Sequence, residues 1–317
     1  MSVPVSTGAN VLETGVRTRR STRRTRREAR IAYGFLSVPL MLFLAFLGLP
    51  MIATLVLSTF DWNMFTPPEF VGFDNYARLM SQPDIAQAFV NTVVFTIAAV
   101  ILHLVGAIVL AVAVRAILSK VAQYFVRTTL FFPMLISGAA ASMIWLYMVD
   151  PNYGFINYYL ERLGAQDLPN WLIEPSTALS VLIVFDLWKT LGFTFVVVLA
   201  GLQSIPQHLY EAAKLDGAGR FQQFLNVTIP MLSPTLLFAS ILSMSGAFQI
   251  FEPMYIMTKG GPGDSTLSLV QAIYYTAFRD FEIGLGSTIS VVVAAVIAVI
   301  TIAQFVLSRK WVHYDRV

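Results

Sequence analysis

The chain has 317 residues, of which 56% are hydrophobic and only 12% charged, and its net charge is +3. Soluble domains average about 25% charged and 45–50% apolar residues, so this excess of apolar side chains predicts a protein that lies in a lipid bilayer. The absence of cysteine excludes disulfides, thiolate metal sites and a cysteine nucleophile. His103, His208 and His313 are far apart and have no metal-ligand spacing, so no metal site is predicted.

Six long apolar runs predict an all-α membrane protein with six spanning helices. Each exceeds the roughly 20 residues that a helix needs to cross about 30 Å of hydrocarbon. The first follows basic residues, as a signal peptide would, but its length and the lack of a small-residue cleavage site indicate a retained span. The run 175–210 is interrupted only by Asp186 and Lys189. The five runs without Asp, Glu, Lys or Arg are 31–60, 85–114, 128–149, 221–251 and 283–308.

The distribution of Lys and Arg predicts the orientation. With the N-terminus inside, the inner segments hold 16 of the 21 Lys and Arg residues, and the outer segments hold Arg78, Arg162, Lys259 and Arg279. The positive-inside rule therefore places both termini in the cytoplasm. The inner segments are 1–30, 115–127, 202–228 and 309–317.

Residues 1–30 are interpreted as an Arg-rich cytoplasmic tail, followed by one membrane domain over 31–317. The stretch 17–30 has eight arginines in fourteen residues, which is typical of a disordered segment that sets topology and touches anionic lipid. Nucleic-acid binding is not expected, because this segment joins a membrane span directly.

The inner segment 202–228 contains a charged, small-residue stretch, YEAAKLDGAG, at 210–219. Ser204 and Gln207 belong to a capping pattern, S-I-P-Q, in which the serine hydroxyl accepts from the Gln207 amide. Helix formers follow, and Gly217 can supply the left-handed turn that ends a helix. A second short helix is expected before the fifth span, at about 219–226.

We expect another protein to bind the loop 202–228. Ala212 and Ala213 leave one helix face nearly flat, and Glu211 offers a carboxylate. A DNA-reading helix–turn–helix has a similar outline, but membrane on both sides would block access to a duplex. A plain interhelical loop would not need a capped helix.

No G-x-x-x-x-G-K-[ST] stretch is present, so the chain cannot cradle ATP phosphates in a P-loop. The glycine-rich stretch GGPG at 260–263 is interpreted as a turn. If the chain uses energy from ATP, that energy must arrive through contact with another chain.

The stretch E-A-A-x-x-x-G, followed nine residues later by an I-x-L-P-like end, resembles the signature of permease subunits of ATP-binding-cassette importers. The chain has Val227-Thr228-Ile229-Pro230 at that end, with Val for Ile and Ile for Leu. Three further motifs resemble the carbohydrate-uptake branch, and the resemblance covers nearly everything beyond the tail. They are FVGFDNYARLM (70–80), WKTLGF (188–193) and YIMTKGGPGDST (255–266).

This resemblance implies a type I, MetI-like permease fold and a transport subunit without enzymatic activity of its own. It implies a second permease subunit, with a heterodimer favoured, two ATPase subunits that hold ATP and Mg²⁺, an extracytoplasmic solute-binding protein and a sugar. The chain itself would bind no cofactor and would lie in a bacterial or archaeal cell membrane. The residues that would contact the ATPase are Glu211, Ala212, Ala213, Lys214, Asp216 and Gly217.

The resemblance also implies a substrate path where the middles of the fourth and fifth spans face each other. Helix packing explains Val197, Ala247 and Ile250 equally well, whereas Phe193, Phe251 and Tyr255 could stack on a sugar ring. The stripe on span four is Thr190, Phe193, Thr194 and Val197, and that on span five is Ala247, Ile250, Phe251 and Tyr255.

Asp186 and Lys189 are three residues apart on one helix face and are expected to form an ion pair. Ionisable groups at membrane depth are costly and often functional, but a structural pair explains these two as well.

Two alternatives to a sugar importer remain open. One is the import of glycerol phosphate or a polyol by the same mechanism, although no arginine cluster is expected to face the pore. The other is an ion-coupled secondary transporter, which would need buried carboxylates; only Asp186 qualifies, and no broken-helix pair is apparent. A membrane enzyme would need a cluster of acids, nucleophiles or metal ligands, which the sequence lacks.

Overall fold

The computed structural model describes residues 21–117, 119–166 and 168–312. His313 and the first 20 residues of the Arg-rich tail lie outside the described residues. The chain divides into two compact units, one ending at Ala53 and the other beginning at Thr54.

The first unit contains a long apolar helix that begins within the Arg-rich segment. Helix α1 (Ser21–Phe43) continues through a π-helical turn (Leu44–Gly48) into α2 (Leu49–Leu57). Its apolar part, Glu28–Leu57, is long enough to cross a membrane. The helix starts earlier than the predicted boundary at residue 31, because arginine is itself a good helix former and extends a helix that already exists.

The second unit is built mostly from long helices, with one small sheet between the first two spans. Strands β1 (Phe60–Asp61) and β2 (Glu69–Phe70) pair antiparallel, with Phe60 opposite Phe70. The helices of this unit are α3 (Asp74–Met80), α4 (Pro83–Ile117), α5 (Lys120–Leu135), α6 (Gly138–Met148), α7 (Phe155–Arg162), α8 (Pro175–Ser204), α9 (Gln207–Leu215), α10 (Arg220–Gln223), α11 (Ile229–Phe248), α12 (Leu269–Tyr274) and α13 (Ile283–Ser308).

The described residues contain five helices that are long and apolar enough to span a membrane, and a bent pair that makes a sixth span. The pair is α5 and α6, which meet at an angle of 98°. The predicted third span is therefore broken, and the expectation that the chain has no broken helix was wrong. At the break, Ile136 and Ser137 are extended (ψ 136° and 137°), and Ile136 N donates to Pro133 O.

Helix α8 is the centre of the bundle and packs against α4, α5 and α11. Small residues allow this close packing: Ala107 and Ala111 of α4 are fully buried in the cluster that also contains Phe195 of α8. Glycine at 192 lets α8 approach the backbone of α5, since a Cβ there would lie 1.9 Å from Leu130 O. Such small residues are what membrane helices use to bring their backbones together.

A polar clamp joins the segment after α2 to α3 and α13. The buried Asn75 donates from Nδ2 to Ser58 O (3.1 Å) and Phe60 O (2.9 Å), and Thr288 Oγ1 donates to the same Ser58 carbonyl. Arg78 of α3 pairs with Glu282 at 2.7 Å. The motif FVGFDNYARLM thus supplies groups that fix one end of the helix bundle.

The two glycines Gly192 and Gly246 give a stability test of this packing. Alanine at 192 should clash with the α5 backbone and cost about 1–3 kcal/mol, as overpacking does. Alanine at 246 meets no atom within 4 Å, and Gly→Ala in a helix otherwise stabilises by about 1 kcal/mol. Thermal unfolding of the purified chain in detergent should show a lower midpoint for Gly192→Ala only. Equal midpoints for the two variants would contradict the close approach.

Candidate functional site

The charged loop after α8 folds into a short helix with a defined end. Helix α9 stops at Leu215, and Gly217 has φ +82°, the left-handed conformation that its place in the sequence predicts. Ala218 N donates to Ala213 O at 2.9 Å, which closes the last turn. The loop therefore has one defined backbone path.

The predicted capping pattern at Ser204 and Gln207 was wrong. Helix α8 runs on to Ser204, whose hydroxyl donates back to Gly201 O at 2.8 Å. Serine hydroxyls in a final turn commonly bond backwards in this way. Pro206 is the N-cap residue of α9, and its side chain makes no capping hydrogen bond.

The second helix of the loop is not a separate element. Gly219 N donates to Gln222 Oε1 at 3.0 Å at the start of α10. A π-helical turn, Phe224–Thr228, then joins α10 to α11, so that Arg220–Phe248 is one continuous apolar helix. The predicted helix at 219–226 is the first part of the fifth span.

The surface of the loop is open and carries apolar side chains. Glu211 and Ala212 are exposed, as are all residues from Lys214 to Gly217. Leu215 is 89% exposed and Phe221 is 72% exposed, although both lie outside the apolar middle of any span. Sequence reasoning missed Leu215 and Phe221, because a single apolar residue in a loop gives no pattern.

Arg115, at the end of α4, ties the loop to the bundle. Its Nη1 donates to Leu202 O at 2.5 Å, and its guanidinium lies 5.7 Å from the centre of the Tyr210 ring. Tyr210 OH in turn lies 3.0 Å from Thr228 Oγ1. Helix α9 is thereby connected to the ends of α4, α8 and α11 around a cavity of about 630 Å³.

The break between α5 and α6 is bordered by two charged side chains, one from α8 and one from the segment that follows α11. Lys189 Nζ donates to Ile136 O at 3.2 Å, just past the carboxyl end of α5. The Glu252 carboxylate lies against the first residue of α6, since a Cβ on Gly138 would be 1.5 Å from Glu252 Oε2. A helix is partly negative at its carboxyl end and partly positive at its amino end, so each charge complements the half-helix that it touches.

Asp186 contacts His103 rather than Lys189. The Asp186 Oδ2 atom lies 3.2 Å from His103 Nε2, which is 2.7 Å from Thr190 Oγ1. The Thr190 hydroxyl donates to the Asp186 carbonyl at 2.6 Å. The predicted Asp186–Lys189 ion pair is therefore corrected: Lys189 turns to the helix break, and Asp186 turns to α4. His103, with a side chain 3% exposed, was missed because its partners lie far away in the sequence.

The eight predicted substrate-path residues do not share one set of surroundings, and the four on span four differ from the four on span five. Thr190, Phe193, Thr194 and Val197 share the continuous helix α8, with Thr190 bonded to His103 and Thr194 buried.

The predicted stripe on span five is interrupted, because α11 ends at Phe248. Ala247 and Ile250 lie in a buried core cluster, as the packing interpretation has it. Phe251 and Tyr255 stack on each other, with ring centres 5.2 Å apart and planes 20° from parallel. They lie beyond the helix end, so the even helical spacing assumed from the sequence does not apply.

The described residues contain five apolar spanning helices, a sixth span that is broken beside Lys189 and Glu252, and an anchored charged loop, which together define a multispan membrane subunit of the permease class. A family model described as "Binding-protein-dependent transport system inner membrane component" matches residues 103–313. The chain belongs to this family, and its resemblance to importer permeases is confirmed.

Curated relatives match over nearly the whole chain. The "Probable ABC transporter permease protein YurN" of Bacillus subtilis is 33% identical over 283 residues, which cover 89% of this chain and 95% of that protein. The "Trehalose/maltose transport system permease protein MalF" of Thermococcus litoralis is 33% identical over 285 residues, 89% of this chain and 95% of that protein.

A solved structure gives the same fold. It is that of a bacterial alginate ABC transporter in complex with an alginate pentasaccharide-bound periplasmic protein. One of its chains aligns with a TM-score of 0.79 and 24% identity, over 92% of this chain and 98% of that one. The match supports the MetI-like architecture.

The charge at the broken span can be tested with a double-mutant cycle. Gly138→Ala should displace the Glu252 carboxylate, and Glu252→Ala should remove it; each loses an interaction worth roughly 0.3–1 kcal/mol. Because both changes remove the same contact, the double variant should be less destabilised than the sum of the single variants. Thermal unfolding measures all four proteins. Additive effects would show that Glu252 does not stabilise the amino end of α6.

Proposed function

We propose that the chain is one transmembrane subunit of an ATP-driven, binding-protein-dependent importer of a sugar or sugar-like solute. The observation that carries the proposal is the loop 202–228, which is folded, is connected to the ends of three spans, and exposes Glu211, Ala212 and the residues from Lys214 to Gly217. The name of the trehalose/maltose relative supports the solute class.

In this proposal the loop receives the movement of a partner ATPase. Glu211, Ala212, Ala213, Lys214, Asp216 and Gly217 form the contact, together with Leu215 and Phe221. Arg115 and Tyr210 pass the movement on, since they link α9 to the ends of α4 and α8. Small shifts at such an interface can change a packing that has two stable arrangements.

The proposed assembly follows from the family. A second permease subunit, preferably a different chain, would complete the pore, and two ATPase subunits would hold ATP and Mg²⁺. A solute-binding protein would deliver the sugar from outside; the solved alginate transporter is in complex with an alginate pentasaccharide-bound periplasmic protein. The positive-inside rule supports cytoplasmic termini in a bacterial or archaeal inner membrane.

The proposed substrate path passes the broken span. Lys189 and Glu252 border the break, and Phe193 and Thr194 lie on the same helix as Lys189. Discontinuous helices at membrane depth commonly form the binding sites of transporters. The import of glycerol phosphate or a polyol remains the alternative within this mechanism.

An ion-coupled secondary transporter is the alternative of a different class. The broken span removes one sequence-based argument against it. One observation favours the importer instead: membership of the binding-protein-dependent family.

Coupling can be tested at Gly217. Valine there must adopt φ +82°, at a cost of about 1–2 kcal/mol for a left-handed residue, so the end of α9 should be distorted. Glu211→Lys reverses an exposed charge on the same surface. In the complete importer, reconstituted in liposomes, we expect both variants to lose ATP-dependent uptake and the stimulation of ATP hydrolysis by the binding protein.

Gly219→Ala is the matched control. This glycine lies two residues away, has φ −68° and open space around its Cα, so alanine fits without strain. The control should transport normally. If Gly217→Val and Glu211→Lys also keep uptake and stimulated hydrolysis, the loop is not where the ATPase acts. Uptake driven by an ion gradient without ATP would favour the secondary transporter.

A further inference from the structure

Four Lys and Arg residues are expected on the outer side of the membrane, and they differ in the groups that they contact. Of these four residues, Arg78 pairs with Glu282, and the Arg162 guanidinium lies 4.7 Å from the centre of the Tyr158 ring. The other two, Lys259 and Arg279, line the same cavity. Among the residues that the structure describes, neither of these two forms an ion pair.

The cavity that they line is walled by aromatic rings. It has a volume of about 410 Å³, within the roughly 300–1,000 Å³ of small-molecule sites. Tyr255, Tyr274 and Tyr275 form its walls, and the Tyr255 and Tyr274 ring centres are 5.4 Å apart. The Arg279 guanidinium lies 5.1 Å from the centre of the Tyr275 ring, which keeps this charge at the wall.

The walls are held by a buried polar side chain. Gln271 is fully buried and donates from Nε2 to Tyr275 OH at 2.9 Å. Tyr275 OH donates to Lys259 O at 3.3 Å. Lys259 itself has φ +53°, a left-handed conformation that fixes where its side chain starts. The Tyr275 ring and the backbone of Lys259 are therefore fixed by the fold, and the Arg279 guanidinium lies against that ring.

The loop that carries Lys259 is held in place as well. Asn91 of α4 donates from Nδ2 to Asp264 O at 2.7 Å and to Leu267 O at 3.1 Å. Thr266 Oγ1 donates to Gly261 O at 2.7 Å. These bonds make the motif YIMTKGGPGDST a rigid rim of the cavity, beyond the simple turn that its glycines predict.

Aromatic walls and two cations without an ion-pair partner fit a ligand that has both a flat C–H face and a negative charge. An aromatic face is electron-rich and attracts the C–H groups on the flat side of a sugar ring. A guanidinium and an ammonium bind a carboxylate through charge-assisted hydrogen bonds. The pKa of Tyr274 is raised, mainly by its hydrogen bond with Tyr255, which joins the two hydroxyls at the wall of the cavity.

We propose that this cavity is a binding site for an acidic saccharide, with the ring on Tyr255 and Tyr274 and the carboxylate between Lys259 and Arg279. The proposal rests on the proposed function, which it narrows from sugars to sugars that carry an acidic group. It places a subsite beyond the end of α11, on the side of the bundle opposite the loop 202–228.

Direct binding tests this site without ATP or any partner chain. The full-length chain in lipid nanodiscs is titrated with digalacturonate and, as the matched neutral ligand, its dimethyl ester, by saturation-transfer difference NMR. We expect saturable binding of digalacturonate. Lys259→Gln combined with Arg279→Gln should weaken that binding roughly tenfold or more and leave the ester unchanged, because only the acid uses the cations.

Arg162→Gln is the control variant, because it removes an outer cation that lies on another tyrosine ring. It should bind digalacturonate as the unaltered chain does. Tyr274→Ala should weaken the binding of digalacturonate and of its ester alike, since both would stack on the Tyr274 ring. Thermal unfolding confirms that each variant is folded.

Three results would overturn the proposal. The first is that digalacturonate shows no saturable binding. The second is that the double variant binds digalacturonate as tightly as the unaltered chain does. The third is that Arg162→Gln weakens digalacturonate binding as much as the double variant does. An aromatic cluster that only anchors the chain at the membrane interface would give the first result. Since the titration contains no ATPase, its failure is separate from a failure of the coupling experiment.

Discussion

The absence of hydrogen-bonding solvent in hydrocarbon is the constraint on which the rest of this structure depends. Every backbone group at membrane depth needs a partner from the protein, so a break in a helix is tolerated only where other side chains replace the missing bonds. The third span breaks at Ile136–Ser137, and Lys189 supplies the donor for the exposed carbonyl. Glu252 lies at the opposite half-helix. The irregular backbone and the two charged side chains beside it are thus two parts of one local solution.

The same constraint explains the contact between His103 and Asp186. A single ionisable side chain in a bundle would be costly, but these two come from neighbouring helices and contact each other, and His103 also contacts the Thr190 hydroxyl. The result is a polar bridge between α4 and α8, inside the most closely packed part of the bundle. It fixes the relative position of the two helices more specifically than apolar packing alone would do.

Apolar runs of the sequence predicted the number and places of the spans, because hydrophobic length is a local property that lipid selects directly. The left-handed turn at Gly217 was also predictable, since glycine after a helix has a local cause. The capping at Ser204 was not, because it depends on where the preceding helix ends. The pairing of Asp186 was missed for a related reason: spacing along one helix shows which residues share a face, but the partner stands on a helix that is distant in sequence.

The continuity of α8 suggests how the two functional regions act together in the proposed mechanism. Its carboxyl end, at Leu202, is held by Arg115 beside the loop, and Lys189 lies on the same unbroken helix. At 1.5 Å per residue, these positions are about 20 Å apart along the axis. A movement imposed at the loop therefore reaches Lys189 without passing a flexible joint. Lys189 contacts the broken span, where the extended residues Ile136 and Ser137 separate α5 from α6. A displacement of Lys189 would also uncover the Ile136 carbonyl, so the break should respond to the loop rather than move independently of it.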